Sequence, residues 1–181
     1  MGHRPSTGRA GEESPLIIER TMDPGWLSNS YLVAGENGHS AVVVDTGGPM
    51  GPLAERARSL GVTVTHVLCT HHHHDHVAHN GDWRREFGTV LCGHRDEATF
   101  FDHLDRTLAD GEIVHSGSLA IRALHIPGHT AGQLAYVVND ERVFTGDTLF
   151  LGSVGGTRAP GHTTFDDIRR SIMNVLMKLP G

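Results

Sequence analysis

The sequence predicts an α/β chain, and three observations carry that prediction. Val42-Val43-Val44 is an unbroken apolar run, the pattern of a strand covered on both faces. A segment with helical spacing, Pro52 to Leu60, follows it and leads into a second β-branched run, Val62–Cys69, so strand, helix and strand alternate. Five histidines crowd between positions 71 and 76, where that second run stops. The C-terminal ends of strands are where α/β folds commonly place sites.

Each element has its own signal. Leu16–Glu19, Ser30–Ala34 and Ser40–Asp45 read as short strands separated by the turns Asp23-Pro24-Gly25 and Gly35-Glu36-Asn37-Gly38. The third strand ends in a sharp turn at Asp45-Thr46-Gly47-Gly48. Leu53, Ala54, Ala57 and Leu60 share one face of the helix that follows, and Gly61 stops it. Asn80–Phe87 reads as a short helix and Thr89–Cys92 as a strand, while Glu97–Leu108 is helical or loop. Leu119–Ile126 alternates as a strand and ends in Pro127-Gly128-His129-Thr130. Gln133–Val138 and Arg142–Thr145 form a hairpin across Asn139-Asp140-Glu141, and it delivers Gly146-Asp147 at its end. Gly152–Gly161 is Gly-rich and read as mobile. Thr163–Leu179 is the clearest helix, capped by Thr163 or Thr164, with Ile168, Ile172, Val175, Leu176 and Leu179 as its apolar stripe.

Composition narrows the function. The chain has 181 residues, 38% of them apolar and 20% charged, which suits one domain with a proper core and excludes a disordered or collagen-like chain. Residues 1–15 read as a flexible arm and 16–181 as the domain. The arm has no apolar segment of the kind a secretory signal needs, and no apolar run approaches the roughly 20 residues of a membrane helix. The expectation is a cytoplasmic protein acting on a small molecule. A net charge of -6 argues against a nucleic-acid partner, and nothing fixes the oligomeric state. Cys69 and Cys92 lie in apolar stretches and are expected to be reduced core residues.

The chemistry concentrates in Thr70-His71-His72-His73-His74-Asp75-His76, an H-x-H-x-D-H pattern. In extended backbone, residues two apart point the same way, so His71 and His73 face one point. Asp75 and His76 curl toward a second point nearby. Imidazole nitrogen suits borderline ions such as zinc, and carboxylate adds a harder ligand. The cluster gives two ligands per ion, so others must come from elsewhere. His129 and Asp147 each follow a glycine at the end of a predicted strand. The expected sets are His71, His73 and His129 for one ion and Asp75, His76 and Asp147 for the other. Asp147, with two oxygens, is the natural bridge. His72 and His74 occupy the alternate positions and are expected to point away. His3, His39, His66, His94, His103, His115, His125 and His162 are read as surface or satisfied core residues, and His79 is left unassigned. Trp26 and Phe150 are expected in the core rather than on a pocket wall.

These motifs resemble the metallo-β-lactamase superfamily. Asp45-Thr46-Gly47, Ile126-Pro127-Gly128-His129-Thr130 and Phe144-Thr145-Gly146-Asp147-Thr148-Leu149-Phe150 are similar to its glyoxalase II (hydroxyacylglutathione hydrolase) and persulfide dioxygenase branch. The resemblance runs from about residue 16 to the end. It implies a four-layered αβ/βα sandwich: two mixed sheets face to face, helices outside, metals at one edge. It also implies the metal roles just given, and a further His ligand on a strand after the last helix. Because these residues stop at Pro180-Gly181, that last strand is expected to be missing from the sandwich. The helical domain that binds the glutathione moiety in glyoxalase II has no counterpart in these residues either.

The expected function is a metallo-hydrolase with two zinc ions, iron or manganese being the alternatives. Metal-bound hydroxide would attack a thioester or related acyl bond, with Asp75 accepting the proton. Three alternatives stand beside it. One is a mononuclear iron persulfide dioxygenase using His71, His129 and Asp147. Another is a lactonase or other hydrolase of the same fold. The third is a metal-storing protein without catalysis.

Overall fold

In a computed structural model of the chain, residues 16–36 and 38–180 are described, and the expected arm at 1–15 lies outside them. A six-stranded sheet contains β1 (Leu16–Met22), β2 (Asn29–Gly35), β3 (Ser40–Val44), β4 (Thr63–Leu68), β5 (Val90–His94) and β6 (Arg106–Leu108), in that order across the sheet. β1, β2 and β3 run antiparallel, whereas β3 to β6 are parallel. Parallel neighbours need a crossover. The first is α1 (Met50–Leu60); the second comprises α2 (His74–Val77) and α3 (Asn80–Phe87). The other sheet has the order β10-β9-β8-β7, from β7 (Ile113–Ser116), β8 (Leu119–His125), β9 (Leu134–Val138) and β10 (Arg142–Phe144). A small hairpin, β11 (Leu149–Phe150) and β12 (Ser153–Val154), precedes α4 (Phe165–Asn174).

Strand alternation builds the four layers. Val33, Val42, Val44 and Leu68 point inward from the first sheet and meet Ile121, Leu134, Tyr136 and Val138 of the second. Leu32, Val43, Val64 and Val67 point outward, onto Leu53, Ala54 and Ala57 of α1 and Trp83 of α3. On the far side, Leu124, Ile126, Ala135 and Val137 pack against Ile172, Val175, Leu176 and Leu179. Each fully buried aliphatic side chain contributes roughly 1.5–3 kcal/mol. The unbroken run at 42–44 thus serves two cores at once. Cys92 lies in the inter-sheet core and Cys69 in the helix-side one, both as free thiols.

The structure corrects several sequence expectations. The second sheet is antiparallel throughout its described strands, so only the first is mixed. Arg95–Phe100 is a 3-10 turn, and β6 is a strand inside the segment read as helical or loop. With three residues, two of them exposed, β6 has no alternation to detect. The last helix ends at Asn174 and continues as a 3-10 turn, Leu176–Lys178, because the break at Val175 preserves the spacing of the apolar stripe. Trp26 is 74% exposed and Phe150 44%, so neither packs in the core; Trp26 lies in the turn after β1 and Phe150 in β11. Among the described residues no strand pairs with the outer side of β10. No helix among them is long and apolar enough to cross a membrane.

Candidate metal centre

The six candidate residues converge at one rim of the sandwich. β4 ends at Leu68 and delivers Thr70 and His71; β8 ends at His125 and delivers His129; β10 ends at Phe144 and delivers Asp147. The 71–76 segment starts extended and then closes into the short helix α2, which turns Asp75 and His76 away from the direction of His73. The corner after β3 shapes that helix. Thr46 N donates to His76 O at 2.7 Å, His79 N donates to Thr46 O at 3.1 Å, and Ser28 Oγ donates to Asp75 O at 2.7 Å.

Four imidazoles face one another. The ring of His71 lies 4.6 Å from His73, 4.2 Å from His76 and 4.9 Å from His129, centroid to centroid. The outward nitrogen of each ring is held by an oxygen. His71 Nδ1 meets Thr70 Oγ1 at 3.0 Å, and His73 Nε2 donates to Pro160 O at 2.9 Å. His76 Nδ1 donates to Asp45 Oδ2 at 2.7 Å, and His129 Nδ1 to Gly156 O at 2.8 Å. A carbonyl oxygen only accepts, so the outward nitrogens of His73 and His129 carry the protons. Their inward nitrogens, His73 Nδ1 and His129 Nε2, face each other 3.0 Å apart. At that distance the two nitrogens can share one proton or one metal ion. The Nε2 of His71 is buried without a hydrogen-bond partner, and the buried Nε2 of His76 faces Asp147 Oδ1 at 3.2 Å. Inward nitrogens backed by oriented outward ones are the arrangement of metal-ligating histidines, and these residues fit a metal ion.

The ligand atoms form two overlapping triads, His71/His73/His129 and His71/His76/Asp147, each within 4.8 Å. Asp147 faces both: Oδ1 lies 3.2 Å from His76 Nε2 and Oδ2 3.5 Å from His129 Nε2. Asp75 is more peripheral, with Oδ2 3.5 Å from His76 Nε2 and its side chain a fifth exposed. Burial, reinforced by the neighbouring rings, holds the His71 pKa well below the usual histidine value. Burial also lowers that of His73. Burial would lower His76 too, but Asp45 and Asp147 overcome it and raise the group to about 10. The Asp147 carboxyl is lowered because the histidines around it outweigh its burial.

Comparison with known proteins agrees with this geometry. The model of the metallo-beta-lactamase superfamily matches residues 23–179. The chain belongs to that superfamily. A hydroxyacylglutathione hydrolase of Rhizobium etli is 42% identical over 105 residues, 58% of this chain and 41% of that protein. One from Pelagibacter ubique is 30% identical over 151 residues, 83% of this chain and 60% of that protein. The chain therefore spans only part of the length of these curated relatives. The solved structure of ETHE1 from Myxococcus xanthus superposes with a TM-score of 0.80 at 28% identity, covering 91% of this chain and 71% of that one.

Two supporting residues of this metallo-beta-lactamase domain carry no role in the sequence reading. Asp45, met there as a turn and in the Asp45-Thr46-Gly47 motif but given no role, is buried and accepts three hydrogen bonds: from Thr70 N, Thr70 Oγ1 and His76 Nδ1. Glu97, placed only in an ambiguous segment, is buried and paired with His72. His72 and His74 point away from the cluster as expected, His74 to solvent. A third His/Asp group, His94, Asp96 and His125, lies outside the centre. Its two rings stack 4.3 Å apart with planes 6° from parallel. In-plane lone pairs of stacked rings do not converge on one ion, and His125 Nε2 is used by Ala131 O at 2.8 Å. The reading of both as satisfied residues stands. Gly152–Gly161, read as mobile, supplies the anchors of His73 and His129 through the carbonyls of Pro160 and Gly156.

Proposed function

We propose that this chain is the metal-binding domain of a hydrolase that cleaves a thioester or related acyl bond. The observation that carries the reading is the convergence of four imidazoles and Asp147, with His73 Nδ1 and His129 Nε2 3.0 Å apart. We assign His71, His73 and His129 to one ion, Asp75 and His76 to a second, and Asp147 to both. Zinc suits these ligands, with iron or manganese as alternatives. Bound there, a divalent ion supplies a Lewis acid and a water whose pKa falls from about 15.7 to about 7. Asp75, reaching solvent beside His76, is the proton acceptor in this scheme. A cleft of about 440 Å³ runs from His76 and Asp147 past Leu27, Phe150 and Leu151, and we assign it to the substrate. The name borne by the curated relatives, hydroxyacylglutathione hydrolase, supports an acyl-thioester of glutathione or a similar thiol. We place the protein in the cytoplasm, acting on a small molecule.

One observation favours a second reading. A two-histidine, one-carboxylate triad, the set that non-haem iron oxygenases use, is present as His71, His76 and Asp147, with His76 in the place expected for His129. A single iron acting on a thiol persulfide is the corresponding activity. Elemental analysis, a thioester hydrolysis assay and oxygen uptake with a persulfide separate the two. Thiol release that stops on metal removal supports the hydrolase. One iron per chain with oxygen consumption and no thiol release overturns it.

A further inference from the structure

The strongest unexplained group in the domain is a buried carboxylate behind the histidine loop. Glu97, in the 3-10 turn Arg95–Phe100, is 1% exposed. Its Oε2 accepts from His72 Nδ1 at 3.0 Å and its Oε1 from Gly132 N at 3.0 Å. Among the described residues its only ion-pair partner is His72. A buried carboxylate is tolerated only where its charge is paired and hydrogen-bonded. Its two contacts are informative. His72 lies between the candidate ligands His71 and His73, and Gly132 follows His129 by three residues.

The surroundings leave the carboxylate no alternative. A Cβ at Gly132 would come within 2.6 Å of Glu97 Cγ, and one at Gly161 within 2.7 Å of His72 Cε1. The His72 ring is stacked on Phe100, centroids 4.4 Å apart and planes 21° from parallel. The gap between His73 Nδ1 and His129 Nε2 depends on how two loops 56 residues apart in sequence are held. The bond from Leu134 N to Thr70 O, 2.8 Å, braces one side of those loops. Glu97 braces the other, from behind the rings.

Building on the metal centre proposed above, we propose that Glu97 is a positioning residue for it: one carboxylate clamps the two ligand loops so that His71, His73 and His129 keep the spacing of one ion. Glutamine keeps the shape and can keep both contacts. Its oxygen accepts from Gly132 N, and its amide donates to His72 Nδ1 in the other tautomer. Leucine fills the space and keeps neither.

The test is a cobalt(II) titration of the full chain against a competing chelator, read by the visible bands of the bound ion. Thermal melts of the metal-free proteins run in parallel. Glu97→Gln is expected to bind within about threefold of wild type. Glu97→Leu is expected to bind roughly 10–100-fold more weakly, the usual effect of removing a supporting partner, with altered bands and a cooperative metal-free melt. Wild-type affinity and bands in Glu97→Leu overturn the clamp. Should that variant not fold, His72→Phe decides: it keeps the stack on Phe100 and removes one clamped partner. A tenfold loss in His72→Phe supports the clamp, and unchanged binding overturns it. A wild-type chain that takes up no cobalt removes the metal centre itself, a separate failure that takes the clamp with it.

Discussion

Asp45 adopts φ +53°, a left-handed conformation that aspartate tolerates better than most residues. The bend aims its carboxylate back at Thr70 and His76, where it accepts three hydrogen bonds out of water. Asp45→Ala orphans those buried donors. A loss of about 2–4 kcal/mol in urea unfolding of the metal-free chain is expected. Gly47 acts by having no side chain: a Cβ there would collide with the carbonyl of Asp75. Gly47→Ala should therefore displace α2, costing about 1–3 kcal/mol. It should lower metal occupancy at the Asp75/His76/Asp147 set more than at His71/His73/His129, which chelator titration of two ions per chain would show. At this scale the sequence is most readable where chemistry is local. The H-x-H-x-D-H spacing exposes His71, His73, Asp75 and His76, and the Gly-His and Gly-Asp contexts expose His129 and Asp147. Asp45 and Glu97 act on partners 25 or more residues away; Asp45 stands in a motif of the family resemblance that does not state this role, and nothing in the neighbours of Glu97 marks it.

Among the elements, α4 shows what periodicity can and cannot resolve. Its start is written in side chains. Thr164 Oγ1 accepts from Asp167 N at 3.1 Å, and Asp167 Oδ2 accepts from Thr164 N at 3.2 Å. Its end is not, because Leu176 and Leu179 satisfy the stripe equally well from a 3-10 turn. β7 and the β11–β12 hairpin leave no usable signal, since four and two residues per strand are too few for a period to emerge. The hydroxyl of Thr164 and the guanidinium of Arg170 hold the Asp167 carboxyl well below the usual carboxylate range. A depressed folded-state pKa gives stability that is complete above the unfolded value, about 3.9, and is lost as pH falls through the folded one. Wild-type melting temperature should thus fall more steeply than that of Asp167→Ala as pH drops from 5 to 2. Parallel curves would show that the cap carries no linked proton. α4 also backs the His129 turn: Ser171 Oγ donates to Pro127 O at 2.7 Å, and Ile168 packs where a Cβ on Gly128 would sit. Ile168→Ala is expected to cost about 2–5 kcal/mol in chemical denaturation.

For the whole molecule, two sheets packed on a shared core bring three strand ends to one rim, and the ions are what should hold that rim shut. A ligand that binds only the folded state at a hundred times its Kd adds about 2.7 kcal/mol. In a chain of this size each kcal/mol shifts melting by roughly 2–4 °C. Chelation should therefore lower the melting temperature by about 5–10 °C per tight site. The α/β order and the site at the strand ends were readable from residues. The four-layer arrangement came from the family resemblance, because alternation tells which face of a strand is buried and not what buries it. The most direct test is elemental analysis of the chain purified without added metal, alongside His129→Ala. The account predicts at least one divalent ion per wild-type chain and a clear loss in His129→Ala. A folded wild-type chain that stays metal-free after incubation with zinc, iron and manganese would contradict it.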